Sequence, residues 1–295
     1  MMIKAYRFVG LAISMLLVAS SPRALNAAGM PALRLNTGPR GAALANAMTA
    51  VRDVEAPSAN PAALATRDNR TLALGHTAWI QDLRINSLAY NLRAGRTVWA
   101  VGSQLFQAEE LERRTGPSLH PVGSFGVYEG AIRLTLAHSL HNNLQLGATV
   151  QAIRQALDIH TANGAAVDLG LLYRLAPGYR LGFAAQHLGR MGKLDRSATQ
   201  LPAVLRGGVA YDGHPHLLIS LEAQRARGLQ TTLHAGVEVT WAPGLAIRAG
   251  YQNADSRDLS GGIGIDIGAW TLDYAYIPFR SGLGQAHRLS LQRHR

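Results

Sequence analysis

The sequence predicts an all-β protein: a 14-stranded antiparallel transmembrane β-barrel with an N-terminal hatch, or plug, in its lumen. Three observations carry that prediction. From about residue 70 onward, apolar residues alternate with polar or small ones at period two rather than 3.6. Most of the alternating segments are long, close to the 9–11 residues that a tilted strand needs to cross a bilayer. The connections between them alternate between tight turns and longer loops, as in outer-membrane barrels.

Composition removes the competing classes. The chain has 295 residues, 47% of them hydrophobic, and no apolar run long enough for a transmembrane helix outside its N-terminus, which excludes a multi-span helical protein. Its 31 glycines follow no three-residue period, which excludes collagen. The absence of cysteine excludes a disulfide framework, a thiolate metal site and a cysteine nucleophile.

Residues 1–28 read as a cleavable signal peptide. Lys4 and Arg7 precede an apolar stretch from Phe8 to Ala19, and small residues follow as far as Ala27-Ala28. Cleavage there removes Lys4, Arg7 and Arg23, which takes three from the formal net charge of +11.

Residues 29–69 do not alternate, and we assign them to the hatch. Gly41 to Val54 is alanine-rich with Leu44, Met48 and Val51 at helical spacing, which predicts a short helix. A turn-rich stretch around Asn60, Pro61 and Leu64 follows. Fourteen strands enclose more volume than their own side chains fill, since about eight strands is the limit for that. A plug answers the volume problem.

Residues 70–295 form the barrel. The strands are expected at 70–80, 83–92, 96–107, 126–138, 143–156, 165–175, 179–188, 203–212, 216–225, 229–241, 245–253, 259–268, 270–278 and 285–292. In the clearest, Leu144, Leu146, Ala148, Val150 and Ala152 take one face and Gln145, Gly147, Thr149 and Gln151 the other. Longer loops are expected at 108–125, 157–164, 189–202, 254–258 and 279–284, and an even strand count puts both termini at the short-turn, periplasmic end. Tyr173, Tyr179, Tyr211, Trp241 and Trp270 flank short turns with the parity of the apolar face and predict an interfacial aromatic girdle. Trp79, Tyr251 and Tyr276 are assigned to the opposite rim.

The charges decide which face meets lipid. Arg133, Asp168, Arg174, Arg206, Glu222, Glu238, Arg248, Asp266, Asp273 and Arg288 all fall opposite the apolar row. A basic residue facing lipid at mid-depth costs about 2–4 kcal/mol, so the charged face is the lumen. Acids and bases such as Glu238, Arg248 and Asp266 are expected to pair across the sheet or with the plug.

The hatch carries a family resemblance. Gly41-Ala42-Ala43-Leu44-Ala45-Asn46-Ala47-Met48-Thr49-Ala50-Val51, followed by Asn60-Pro61-Ala62-Ala63-Leu64, resembles the N-terminal hatch of FadL-like outer-membrane proteins, and most closely the PorV/PorQ branch. Gly236-Val237-Glu238, Ile247-Arg248-Ala249-Gly250-Tyr251, Leu272-Asp273-Tyr274-Ala275-Tyr276 and His287-Arg288-Leu289-Ser290-Leu291 extend it along the chain. Asn46 and Ala63 stand where glycine is usual, and no terminal aromatic closes the chain. The resemblance implies a fourteen-stranded barrel with a hatch in the bacterial outer membrane. It also implies passage or binding of small hydrophobic molecules, with Asn60-Pro61 at the hatch bend. The alternative it implies is a shuttle or docking component of type IX protein secretion, meeting cargo proteins through loops 108–125 and 189–202.

No enzyme is expected. His138 and Ser139 are adjacent, so on a strand their side chains face opposite ways. The eleven histidines are scattered, with His214 and His216 in a turn and His294 in a tail, and we assign no metal, cofactor or catalytic residue. Export argues against nucleic acid as the partner of this basic chain. Membrane lipid is the expected surroundings, with lipopolysaccharide phosphates meeting Arg113, Arg114, Arg190 and Arg196.

Overall fold

A computed structural model describes residues 29–35, 38–64, 70–117, 120–195, 197–254 and 257–295. The signal-peptide assignment, residues 1–28, lies outside them, as does Arg196. The described chain is a closed barrel of fourteen antiparallel strands. In order they are β1 Arg70–Ala78, β2 Arg84–Ala94, β3 Thr97–Arg113, β4 Gly123–His141, β5 Leu144–Leu157, β6 His160–Ala176, β7 Tyr179–Met191, β8 Val204–His214, β9 Leu217–Ala226, β10 Thr231–Ala242, β11 Leu245–Gln252, β12 Leu259–Ile267, β13 Trp270–Pro278 and β14 Gln285–His294. Each strand pairs with its sequence neighbours, and β1 pairs with β14 to close the wall, Leu74 opposite Leu291.

Burial is inverted relative to a water-soluble protein. On β5, Gln145, Thr149 and Gln151 are buried, while Leu146 and Val150 are 39% and 53% exposed. The same inversion runs round the barrel, with Ile132, Leu221, Leu233 and Ile247 outward. Such an apolar outer wall is stable in lipid, where a closed barrel also satisfies every backbone group.

Some expectations are corrected. Half of loop 108–125 is strand, because β3 and β4 continue pairing as far as Arg113 and Gly123. A bulge between Ala108 and Leu111, with Glu110 left-handed (φ 57°), shifts the register there. The charged run around it masks the alternation. Loop 157–164 is likewise strand except for a tight turn between Leu157 and His160. Within 189–202, β7 runs on to Met191, and Lys193–Leu194 forms a two-residue ladder with Ser197–Ala198.

The predicted helix over Gly41 to Val54 is also shorter. The helix α1 spans only Pro39–Ala43. Ala45 and Asn46 then adopt left-handed backbone (φ 51° and 66°), which ends the helix and turns the chain across the lumen. Short 3-10 turns follow at Ala56–Ser58 and Pro61–Ala63. Leu44, Met48, Ala50, Val51, Ala56, Ala59, Ala62 and Ala63 pack on Leu172, Ala210 and Leu218 of the wall, so the hatch supplies most of a small apolar core inside a polar cylinder.

Candidate functional site: the hatch and its vestibule

Two polar systems fix the hatch to the wall. The first begins at Arg40, in α1. It donates to both carboxylate oxygens of Glu238, at 2.7 and 2.8 Å, and to Asp53 at 2.7 Å. Arg248 donates to Glu238 at 2.6 Å and to Asp273 at 2.5 Å. Three wall strands and two points of the hatch thus share one chain of alternating charge. Burial disfavours the Arg40 guanidinium, but Glu238 and Asp53 hold its pKa above the usual value.

The second system crosses from β3 to β9. Asp168 is fully buried and accepts from the Gln151 amide and from the His187 backbone, both at 2.6 Å. Arg133 donates to Gln151 and to Gln104, and Gln104 donates to the Ala32 carbonyl of the hatch. Arg206 bridges Gln186 and Glu222 at 2.8 Å each. Glu222 in turn accepts from the backbone and hydroxyl of Thr49, at 2.9 and 2.7 Å. Buried ion pairs of this kind need every member satisfied, and the hatch backbone supplies several of the partners.

The hatch also approaches the wall where the wall has no side chain. A Cβ on Gly170 would lie 2.0 Å from Asn60 Oδ1, and one on Gly250 would lie 2.3 Å from the Ala45 nitrogen. Asn60 is fully buried; its amide donates to the Thr49 and Leu171 carbonyls while its oxygen caps the Ala62 nitrogen. Pro61 begins the 3-10 turn, and Leu64 packs with Val98, Ala100 and Ala137.

Of the ten assigned lumenal charges, Arg133, Asp168, Arg206, Glu222, Arg248, Asp273 and Arg288 are buried, and Glu238 has 14% of its side chain exposed. Arg174 and Asp266 are exposed near the short-turn end. Asp266 lines a cavity there and accepts from Thr271 at 2.5 Å.

Of the girdle residues, Tyr173, Tyr179, Trp241 and Trp270 are exposed, and Tyr179 lies 4.8 Å from Tyr211, ring to ring. Trp79 departs from its rim assignment. It packs with Phe279 beside Ala42 and Ala43 of the hatch, and Arg288 and Arg257 lie 5.2 and 5.4 Å from its ring. Proximity of its ring to a lumenal guanidinium outweighs its position at a strand end.

His187 and His234, to which the sequence assigned no role, are buried. His234 bonds the Ala45 carbonyl at 2.7 Å. His294 is not a tail; it is buried in β14 and bonded to Thr71 and Thr271. Arg113 and Arg114 are paired with Asp158 and Glu112.

On the short-turn side of the hatch two adjoining cavities open, of about 380 and about 480 Å³. They share Arg40, Arg52, Glu238 and Thr240 and together form a polar vestibule. A much smaller gap of about 40 Å³ lies between Glu55, Pro57 and Ser58 of the hatch and strands β2–β4. Glu55 is buried with its Oε2 unpartnered among the described residues. Burial pushes its carboxyl up to about 8 from an ordinary 4.5; Asp53 and Asp273 push the same way, and Arg288 pulls back.

This is the fold of FadL-like outer-membrane channels. The monoaromatic hydrocarbon channel CymD superposes with a TM-score of 0.65 at 14% identity, over 87% of this chain and 96% of that one. A Pseudomonas aeruginosa FadL homologue gives 0.62 at 13% identity, over 87% and 98%. The P. putida toluene transporter TodX gives 0.60 at 14% identity, over 85% and 95%. At such identities the likeness establishes the fold alone. The chain belongs to the uncharacterised protein family UPF0164, whose model matches residues 12–165. No curated protein matches it in sequence.

Proposed function

We propose that the protein is an outer-membrane channel that binds and passes small hydrophobic molecules, with the hatch as its gate. The observation that supports this most is the hatch itself: it crosses the lumen and is held to the wall by polar contacts and close backbone approaches rather than by a continuous apolar seal. The similar structures include a hydrocarbon channel and a toluene transporter, which agrees with an apolar cargo. The polar lumen limits that cargo to small molecules that cross beside the hatch rather than through a continuous greasy bore.

The chain has no native cysteine, so the gate can be locked cleanly. A Cβ on Gly208 would lie 3.4 Å from the Thr49 Cβ, close to disulfide spacing. Proteoliposomes carrying the Thr49→Cys/Gly208→Cys protein should take up an apolar aromatic solute only after reduction. Equal uptake in the oxidised and reduced states would overturn the gate.

The PorV/PorQ reading, a docking component of type IX secretion, rests on the hatch phrase from Gly41 to Leu64. The conversion of half of 108–125 to strand leaves less loop for a cargo protein to grip. Recovery of a cargo C-terminal domain on the immobilised barrel would favour it over passage.

A further inference from the structure

The larger of the two vestibule cavities carries an excess of positive charge that passage of apolar molecules does not use, whereas the smaller one holds its share of the acids, Asp53, Glu238, Asp266 and Asp273. Arg40, Arg52, Arg93 and Arg180 line the larger cavity, against the acids Asp212 and Glu238. Glu238 is taken up by Arg40 and Arg248. Asp212 is taken up by Arg180, at 2.5 Å. Asp53, the acid next to Arg52 in sequence, is turned to Arg40. No ion pair joins Arg52 to an acid among the described residues, and its buried Nε has no hydrogen-bond partner there. Around it, Arg180, Arg93 and Arg174 present three like charges from three different strands, and Asp212 is the opposing charge.

The hatch is built to keep Arg52 in this position. Its carbonyl accepts from Arg40 at 3.3 Å, and two residues earlier the Ala50 carbonyl accepts from Arg180 Nε at 3.2 Å. Guanidiniums brought together in a partly desolvated cavity repel one another, and an anion placed among them removes the repulsion. Guanidinium forks arriving from several directions suit a tetrahedral oxyanion that offers three or four acceptor oxygens.

We propose that the larger cavity of the short-turn vestibule is a binding site for a phosphate group, centred on Arg52 with Arg93 and Arg180 as its walls. The group arrives from the periplasmic side, either as a free phosphate compound or as a phospholipid headgroup. The site is independent of the transport reading: it binds whether or not apolar molecules cross.

The test is a ³¹P NMR titration of the full mature protein in a non-ionic, phosphate-free detergent at low ionic strength. One arm uses inorganic phosphate and the other monomeric short-chain phosphatidylglycerol. At least one probe should show saturable line broadening that weakens with added salt. Arg52→Gln should weaken it by about tenfold, the loss of one charge-assisted contact, while Arg113→Gln, at the opposite end of the barrel, leaves it unchanged. Heat-dependent gel mobility checks that each barrel is closed, and Arg93→Gln serves as a second variant. Saturation by phosphate alone identifies a free ligand, and by lipid alone a headgroup; either supports the site. Absence of saturation with both probes overturns it, as does wild-type affinity in both Arg52→Gln and Arg93→Gln. Uptake assays do not enter the readout, so a failed channel and a failed phosphate site are told apart.

Discussion

Arg40 grips both oxygens of Glu238, at 2.7 and 2.8 Å, so the first helix of the hatch is forked onto strand β10 of the wall. Asp53 and Arg248 extend the fork to a second point on the hatch and to the next strand. Glu238 is therefore the acid on which the hatch and two guanidiniums converge.

Glu238→Gln should loosen the hatch without opening the wall. Two guanidiniums lose a charged acceptor, at about 1.5–3 kcal/mol for each hydrogen bond to a charged group. Limited trypsin digestion checks this: cleavage after Arg40 or Arg52 should accelerate while the barrel keeps its heat-dependent mobility. Unchanged cleavage would mean that Asp53 alone suffices to hold Arg40.

Gly250 sits against the hatch backbone, where a Cβ would lie 2.3 Å from the Ala45 nitrogen. Gly250→Val should push the hatch off that wall at an overpacking cost of about 1–3 kcal/mol. Planar-bilayer recordings should then show larger or more frequent conductance steps than the wild type. Gly102→Ala is the control, since its Cβ would meet no atom nearer than 3.5 Å.

Glu55 gives the docked hatch a pH dependence. Docked, it keeps its proton up to about pH 8; in an undocked hatch it would release it near 4.5. Docking takes up a proton between those values, so retention is firmest below about pH 4.5 and weakens as pH rises through 8. Hatch protection from protease should follow that trend, and Glu55→Gln should flatten it. A wild-type profile that is flat across this range would refute the assignment.

Ile132 is 63% exposed on the outer face of β4. Ile132→Arg places a guanidinium against lipid and should cost about 2–4 kcal/mol if the residue lies near the bilayer midplane. Urea unfolding from lipid vesicles measures it. A water-soluble barrel would lose almost nothing.

The strand order and facing were legible because lipid outside and a polar lumen inside impose strict alternation, as the row from Leu144 to Ala152 shows. The same rule fails where the backbone leaves the regular ladder. At the β6–β7 bulge Gln186 and His187 are both buried in succession, with His187 left-handed, and period-two reading has no place for two inward residues in a row. Glu109 and Glu110 conceal the outer ends of β3 and β4 for the same reason. In the hatch, alanine spacing suggested a helix, but the left-handed turn at Ala45 and Asn46 answers to the wall glycines opposite it, a constraint from residues some two hundred positions away. The Arg52 cluster was invisible for that reason too: its members come from the hatch, β2, β6 and β7 and share no local pattern.

Helix α1 lies against β11–β14, whereas the turn at Pro61–Ala63 lies against β4–β7 on the far side. The chain between them is thus a spar braced across the cylinder's diameter. A hollow cylinder of this girth can flatten toward an ellipse under lateral pressure from the bilayer, and a spar tied at both ends resists that squeeze. Removing it would change the roundness of the whole tube, including strands it never touches.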